Sequence, residues 1–473
     1  MREIWTSSLV DLGHLLQRRE LSPVELMTSV LDRVDRTHEA LNAVVALRDR
    51  ETLLAEARAS ETRLARGDGR PLEGIPLGVK DLEDVAGMKT TFGSIPFRDN
   101  FATTDSTQVA RLRAAGAIVV AKTNTPEFGF TAITKNLLFR DTRSPWDLAR
   151  TPGGSSGGSA AVLAGGVLPL VTASDGGGSI RIPASFVGAF GLKPSAGRVP
   201  RGPFSRWDWS NTSVYGPLTK TVEDGALFLD LVAGPSDDDP TSLPSAGVRY
   251  ADEVNRPLDA PLRIALSLDL GYAAVQSDIA ASIEEAAQVF TRLGHRVLGL
   301  AGGPPQLGAE WSALMYLDLA GIHSPWFATR ESEITRALAQ GIREASRIDP
   351  VSWDAMRRRR AELNRWCSEL FRDHDLLLLP TVSFDPPPSR GPFPTETEGR
   401  PQPPAAAGAL TIPFNMSGHP AATVRAGLSR AGFPVGLQIV GPRHRDDLVL
   451  RAARTFERER PWHPEWPVDF TDG

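Results

Sequence analysis

The chain is expected to fold as an α/β protein, a mostly parallel or mixed β-sheet wrapped by helices. Three observations predict this. Short β-branched or leucine runs, IPLGV at 75–79, AIVVA at 117–121 and LLLL at 376–379, read as strands buried on both faces. Other segments, such as Thr107–Ala115 and Ser277–Leu293, repeat their apolar residues at three and four, the period of a helix. The two patterns alternate along the chain, the signature of βα units around one sheet.

In order along the chain, MREIWTSSLVDLGHLLQRREL reads as a helix of the mature protein; it lacks the charged start and unbroken apolar core of a secretion signal. Ser22-Pro23 reads as a cap and first turn opening SPVELMTSVLDRVDRTHEALNAVV. A second helix covers Arg48–Leu64. Strands follow at Ile75–Val79 and Ala117–Ala121 with the helix Thr107–Ala115 between them, then a helix on SAAVLAGGV and a strand at Leu168–Thr172. Leu262–Leu266, Ser277–Leu293 and Arg296–Leu298 read as strand, helix and strand. A long helix spans SWDAMRRRRAELNRWCSELFRDHD, and strands close the chain at Leu376–Leu379 and Gly436–Val440. Gly234–Pro261 and the proline-dense Pro380–Gly408 read as surface loops, the second near the mouth of a site.

Composition narrows the function. The 473 residues are 41% hydrophobic and 23% charged, ordinary for a globular enzyme. A net charge of −5 gives no basic face for nucleic acid, and Arg357–Arg360 reads as the solvated side of its helix. No stretch reaches 18 uncharged apolar residues, so no membrane span is expected. Cys367 reads as a packed thiol, and a single cysteine suits a cytoplasmic protein. None of the eight histidines shares a metal-ligand spacing with another, so no metal or other cofactor is expected.

The chemistry concentrates in Thr151–Ser195, where GGSSGGS and DGGGS flank an apolar run. Glycines in DGGGS let the backbone N–H groups converge on one point, and such donors are worth about 3–4 kcal/mol each to a transition-state oxyanion. Ser179 ends that turn beside its own donors. No histidine lies near in sequence, but a lysine can act as base where burial disfavours its charge. Lys80, at the end of IPLGV, suits that role; a salt bridge to Asp81 or Asp84 is the competing reading. Gly154-Ser155-Ser156-Gly157-Gly158 also matches the G-x-S-x-G of α/β-hydrolases, but the partner HGGG-type segment is absent.

These segments resemble the amidase signature family of serine hydrolases. The resemblance runs over nearly the whole chain: GIPLGVKD, AKTNTPEFG, GGSSGGSAA…SDGGGSIRIPASFVGAFGLKPS, VYGPLTKTVEDGALFLDLVAG and FPVGLQIVGP. It implies one α/β/α domain over residues 1–473, a large mixed β-sheet surrounded by helices, in place of the three domains that length alone suggests. Within it fall N-terminal helices to about 70, a catalytic core to about 235, and a substrate-side part to 473. It implies a Ser-cisSer-Lys triad: Ser179 as nucleophile, Ser155 as the bridging serine with a cis peptide, Lys80 as base. It implies an oxyanion hole from the N–H groups of Gly176, Gly177, Gly178 and Ser179, with Ser156, Asp175 and Arg181 in support. Val187, where many relatives have cysteine, and Gly176, where a bulkier residue is common, are departures from the pattern.

The resemblance implies hydrolysis of an amide C–N bond. Within the family, it resembles aryl acylamidases, hydrolases of the 6-aminohexanoate cyclic dimer and urethanases. The aromatic clusters Phe204–Trp209 and Trp311, Tyr316, Trp326 and Phe327 suggest bulky or aryl amides, with aryl carbamates and oligoamides alongside. Asn124, Trp207 and Trp209 are the expected substrate contacts. The expected partner is a small-molecule amide or carbamate, with no nucleic acid and no membrane, on a monomer or homodimer. A transamidation subunit for charged transfer RNA and a silent scaffold are the alternatives within the family.

Overall fold

In the computed structural model, which describes residues 2–203, 210–258, 261–461 and 466–470, the strands assemble into two ladders. The first has four strands in the order Val44–Leu47, Ile118–Thr123, Pro76–Lys80, Leu170–Val171. The second has seven: Leu218–Thr219, Phe190–Lys193, Ala421–Leu428, Pro434–Val440, Leu376–Pro380, Arg263–Leu266 and Arg296–Gly299. The first is parallel except at its edge strand Val44–Leu47, and the second turns from antiparallel to parallel at Leu376–Pro380. The expected mixed sheet is therefore present.

A short antiparallel pair stitches the ladders together. Ser174–Asp175, three residues beyond one end strand, pairs with Val214–Tyr215, three residues before the other. Gly216 N–H adds a bond to the Ala173 carbonyl at 3.3 Å. DGGGS begins on this seam.

The expected strands sit where their sequences place them, and the reason is burial. Pro76–Lys80, Ile118–Thr123 and Leu376–Pro380 are buried along their whole lengths, so both faces must be apolar and no polar alternation survives. Helix Pro23–Leu41 opens on the expected cap, with Ser22 and Glu25 in a reciprocal capping box. It ends earlier than the expected Val45, because Asn42 takes a left-handed conformation (φ 48°) and turns the chain. The next residues, Val44–Leu47, become the edge strand. The N-terminal stretch is two helices, Arg2–Thr6 and Leu9–Gln17, because Ser8 caps the second through Asp11 N–H.

Two central strands went unforeseen, Phe190–Lys193 and Ala421–Leu428. AATVRAGL has weak β-propensity; its place between two partners in the sheet overrides that. The arginine run is also more than a solvated face. Arg359 bonds Glu310 and the Gln306 carbonyl, and Arg360 reaches the carbonyls of Met416 and Ser210. Cys367 is buried as expected, and burial pushes its thiol up to about 11. No helix among the described residues is long and apolar enough to cross a membrane.

Candidate active site

Lys80 is fully buried at the end of its strand, its backbone N–H held by Thr172 Oγ1 at 3.0 Å. Its ammonium group reaches three hydroxyls: Ser155 Oγ at 2.8 Å, Ser156 Oγ at 2.9 Å and Ser174 Oγ at 3.0 Å. The competing salt bridge to Asp81 or Asp84 is absent. Asp81 instead faces Lys122 Nζ at 3.5 Å and bonds Thr91. Lys80 thus sits among neutral donors and acceptors. Burial pulls it from 10.5 to about 7, against the opposing pull of Glu83 and Asp175. Glu83, also fully buried, is pushed up to about 7 by the same loss of water.

Ser155 and Ser156 precede the helix Gly157–Ala164, and the Gly154–Ser155 peptide is cis. Ser179 is half-exposed, and its carbonyl accepts from the Ser156 N–H at 3.2 Å. This bond brings the two serine-glycine clusters together. The Ser179 hydroxyl has no hydrogen-bond partner among the described residues, as is common in resting hydrolases, where such bonds tighten only around substrate.

The glycine turn is held from behind. Asp175 and Arg181 form a fully buried bidentate pair, with both contacts at 3.0 Å. The Arg181 guanidinium also binds the Thr411 carbonyl, Gln438 Oε1 and Asn415 Oδ1, and Asn415 Nδ2 returns to Asp175. Burial would raise the Asp175 carboxyl, but Arg181 beside it holds it well below the usual carboxylate range. The same carboxylate accepts from the N–H groups of Gly178 (2.6 Å) and Ile180 (3.2 Å).

That last contact corrects one expectation. The Gly178 N–H is spent on Asp175 and cannot also serve an oxyanion. The N–H groups of Gly176, Gly177 and Ser179 carry no intramolecular partner among the described residues. Gly178 still has to be glycine, since its φ of +130° is closed to other residues.

Asn124 does not reach a substrate space. It is fully buried; its amide donates to Thr142 Oγ1 at 2.9 Å and its oxygen accepts from Asn136 at 2.8 Å. Its place is inside the frame that supports the Ser155 loop. Trp207 and Trp209 lie outside the described residues. The aromatic side of the site is built instead by half-buried Phe130, whose ring stacks on Trp311 (centroids 6.1 Å) and packs on Tyr316 (4.2 Å). Gly129, the residue before Phe130, lies against Ser155: a Cβ there would sit 3.1 Å from Ser155 Oγ. Just past the proline-dense stretch, Thr411 Oγ1 donates to the Gly177 carbonyl at 2.6 Å. A separate cleft of about 580 Å³, lined among others by His38, Arg140, Arg143 and Arg390, contains none of these residues.

Phe130, Asn415, Gln438, Thr411 and Ser174 were not foreseen. Phe130 directly follows the AKTNTPEFG motif, and that adjacency was an available signal. Ser174 opens the SDGGGS motif itself, a local signal; Asn415, Gln438 and Thr411 are lone polar residues in apolar runs far along the chain, and nothing local marks them.

The Amidase family model matches residues 25–450. An acylamidase of Rhodococcus erythropolis is 36% identical over 482 residues, covering 98% of each chain. The crystal structure of a bacterial aryl acylamidase of the amidase signature family superposes with a TM-score of 0.91 at 30% identity, covering 99% of both chains. That of a 6-aminohexanoate cyclic dimer hydrolase, in complex with substrate, does so with a TM-score of 0.86 at 29% identity, covering 97% of this chain and 98% of that one. A seamed α/β sheet, a buried lysine on paired serines and a clamped glycine turn thus coincide with family matches along almost the full length. The chain belongs to the amidase signature family and is an amide-hydrolysing enzyme.

Proposed function

We propose that the chain hydrolyses bulky and aryl amides through Ser179, Ser155 and Lys80. Aryl carbamates and oligoamides present the same carbonyl to the same groups and fall within the proposed range. The observation that carries this reading is the 2.8 Å contact between a lysine held near neutrality by burial and a serine hydroxyl beside a turn with three free N–H groups.

Ser179 Oγ attacks the carbonyl carbon and gives its proton to Ser155, which passes its own to neutral Lys80. The oxyanion rests on the N–H groups of Gly176, Gly177 and Ser179. The proton returns through Ser155 to the leaving nitrogen, the C–N bond breaks, and an acyl-enzyme remains. Water then repeats the sequence and releases the acid. With a carbamate attacked in the same way, the second product loses carbon dioxide.

The base must be neutral to act, which fixes the sign of the pH dependence. Below about 7 Lys80 is protonated and idle; above it the neutral form dominates. The expected kcat/KM rises about tenfold per pH unit on the acid side and levels off above neutrality. Glu83→Gln removes a charge that, near and above pH 7 where Glu83 is ionised, favours protonated Lys80, so the upper part of the rising limb moves toward acid. A profile flat from pH 5 to 9, or a Lys80→Ala variant with near-native activity, contradicts the mechanism.

The substrate class rests on the Phe130–Trp311–Tyr316 wall beside Ser155. A panel of anilides, p-nitroanilides, aliphatic amides and nitrophenyl carbamates measures it. Phe130→Ala is expected to cut kcat/KM for an anilide at least about tenfold more than for acetamide, the lower end of the scale for one methylene of lost pocket contact. Equal losses on both substrates remove the aryl preference from the proposal. Glutaminase activity that appears only with added partner subunits replaces hydrolysis by transamidation.

A further inference from the structure

Trp311 lies on the helix Gly308–His323, more than 130 residues beyond the glycine turn. Its indole N–H donates to the Gly176 carbonyl at 2.7 Å. Its ring lies flush on the next residue: a Cβ at Gly177 would sit 2.5 Å from indole Cζ2. Resting on the catalytic reading above, we propose that Trp311 is a positioning residue that aims the Gly177 N–H at the oxyanion.

The reasoning is peptide geometry. The Gly176 carbonyl and the Gly177 N–H belong to one planar, trans unit and point in opposite directions. A donor fixed on the oxygen therefore turns the N–H away from the indole, and that N–H is free of any described partner. The next peptide is held just as firmly but to the opposite effect. Thr411 takes the Gly177 carbonyl at 2.6 Å, while Asp175 takes the Gly178 N–H at 2.6 Å. Of two successive clamped peptides, only the first thus offers a donor outward. Three glycines leave this turn without side chains to fix it, so the clamps must come from elsewhere in the fold.

Trp311 is itself fixed. It stacks on Phe130 at an interplanar angle of 14° and packs into the cluster of Leu307, Leu314, Leu363, Cys367, Ile412 and Met416. Glu310, the residue before Trp311, and the Gln306 carbonyl just ahead of its helix are held by Arg359 from the helix Pro350–Asp373. Part of the arginine run thereby steadies the helix that carries the indole.

The test separates aiming from mere lining of the pocket. Trp311→Phe keeps a ring and removes the donor; benzothienylalanine at 311 keeps the two-ring shape and deletes only the N–H. Both variants are compared with wild type on an anilide and on a small aliphatic amide, with thermal unfolding as a check of folding. The expected result is a kcat lowered at least about tenfold on both substrates with KM within about twofold, since losing an oxyanion donor outright costs roughly 10²–10³ in kcat. A trifluoromethyl ketone, which forms the oxyanion on the enzyme, is expected to lose affinity by a similar factor. An unchanged kcat for the benzothienyl variant, or a loss confined to KM of the anilide, overturns the proposal and leaves the catalytic reading standing. Retained activity in Ser179→Ala removes the catalytic reading itself.

Discussion

Ser179→Ala is expected to lower kcat/KM for any amide substrate by roughly 10⁴–10⁶-fold, the scale seen when a serine hydrolase loses its nucleophile. The variant should fold normally. Ser179 is half-exposed, its hydroxyl has no described partner, and the backbone bond from Ser156 N–H to the Ser179 carbonyl survives the change. Loss of activity with an unchanged melting temperature therefore isolates the chemistry from the fold. A fluorophosphonate probe sharpens the measurement: wild type takes up one equivalent and Ser179→Ala takes up none. Labelling that persists in Ser179→Ala and vanishes in Ser156→Ala would transfer the nucleophile to the G-x-S-x-G serine.

Asp175→Ala is expected to be the most destabilising single change at the site, by about 3–5 kcal/mol in denaturant unfolding, the cost of leaving one member of a buried ion pair alone. The arithmetic is local. Arg181 would keep only neutral partners, the Thr411 carbonyl, Gln438 and Asn415. The Gly178 and Ile180 N–H groups would be left without their acceptor. The pH dependence has a definite sign. The folded carboxyl lies below its ordinary 3.8, so its contribution is complete above about pH 4 and declines as pH falls toward the lower folded value. The carboxylate's own part of the gap between variant and wild type should narrow under stronger acid. A difference under about 1 kcal/mol at neutral pH would mean that the turn is held by its carbonyl clamps instead.

The proposed reactive groups lie in or beside glycine-rich segments whose composition makes sense only as close backbone approach. Lys80 stood out as a charge ending an apolar strand. The limits are equally physical. The occupied Gly178 N–H follows from one backbone torsion and one carboxylate position, which spacing does not encode. Asn415 and Gln438 act on Arg181 across more than 230 residues, and each looks like an isolated polar break in an apolar run. Ala421–Leu428 is a strand only because its neighbours are. Asn42 ended a helix whose periodicity continued past it.

The seam between the two ladders has a thermodynamic meaning of its own. Lys80 belongs to the four-stranded side, while Gln438, which holds Arg181, belongs to the seven-stranded side. The short pair Ser174–Asp175 with Val214–Tyr215 joins them. Under the proposed mechanism, neither half of the molecule holds both the proposed base and the residues that clamp the glycine turn. On that proposal turnover reports docking: a partial opening along these four residues is expected to silence the enzyme while both halves keep their secondary structure.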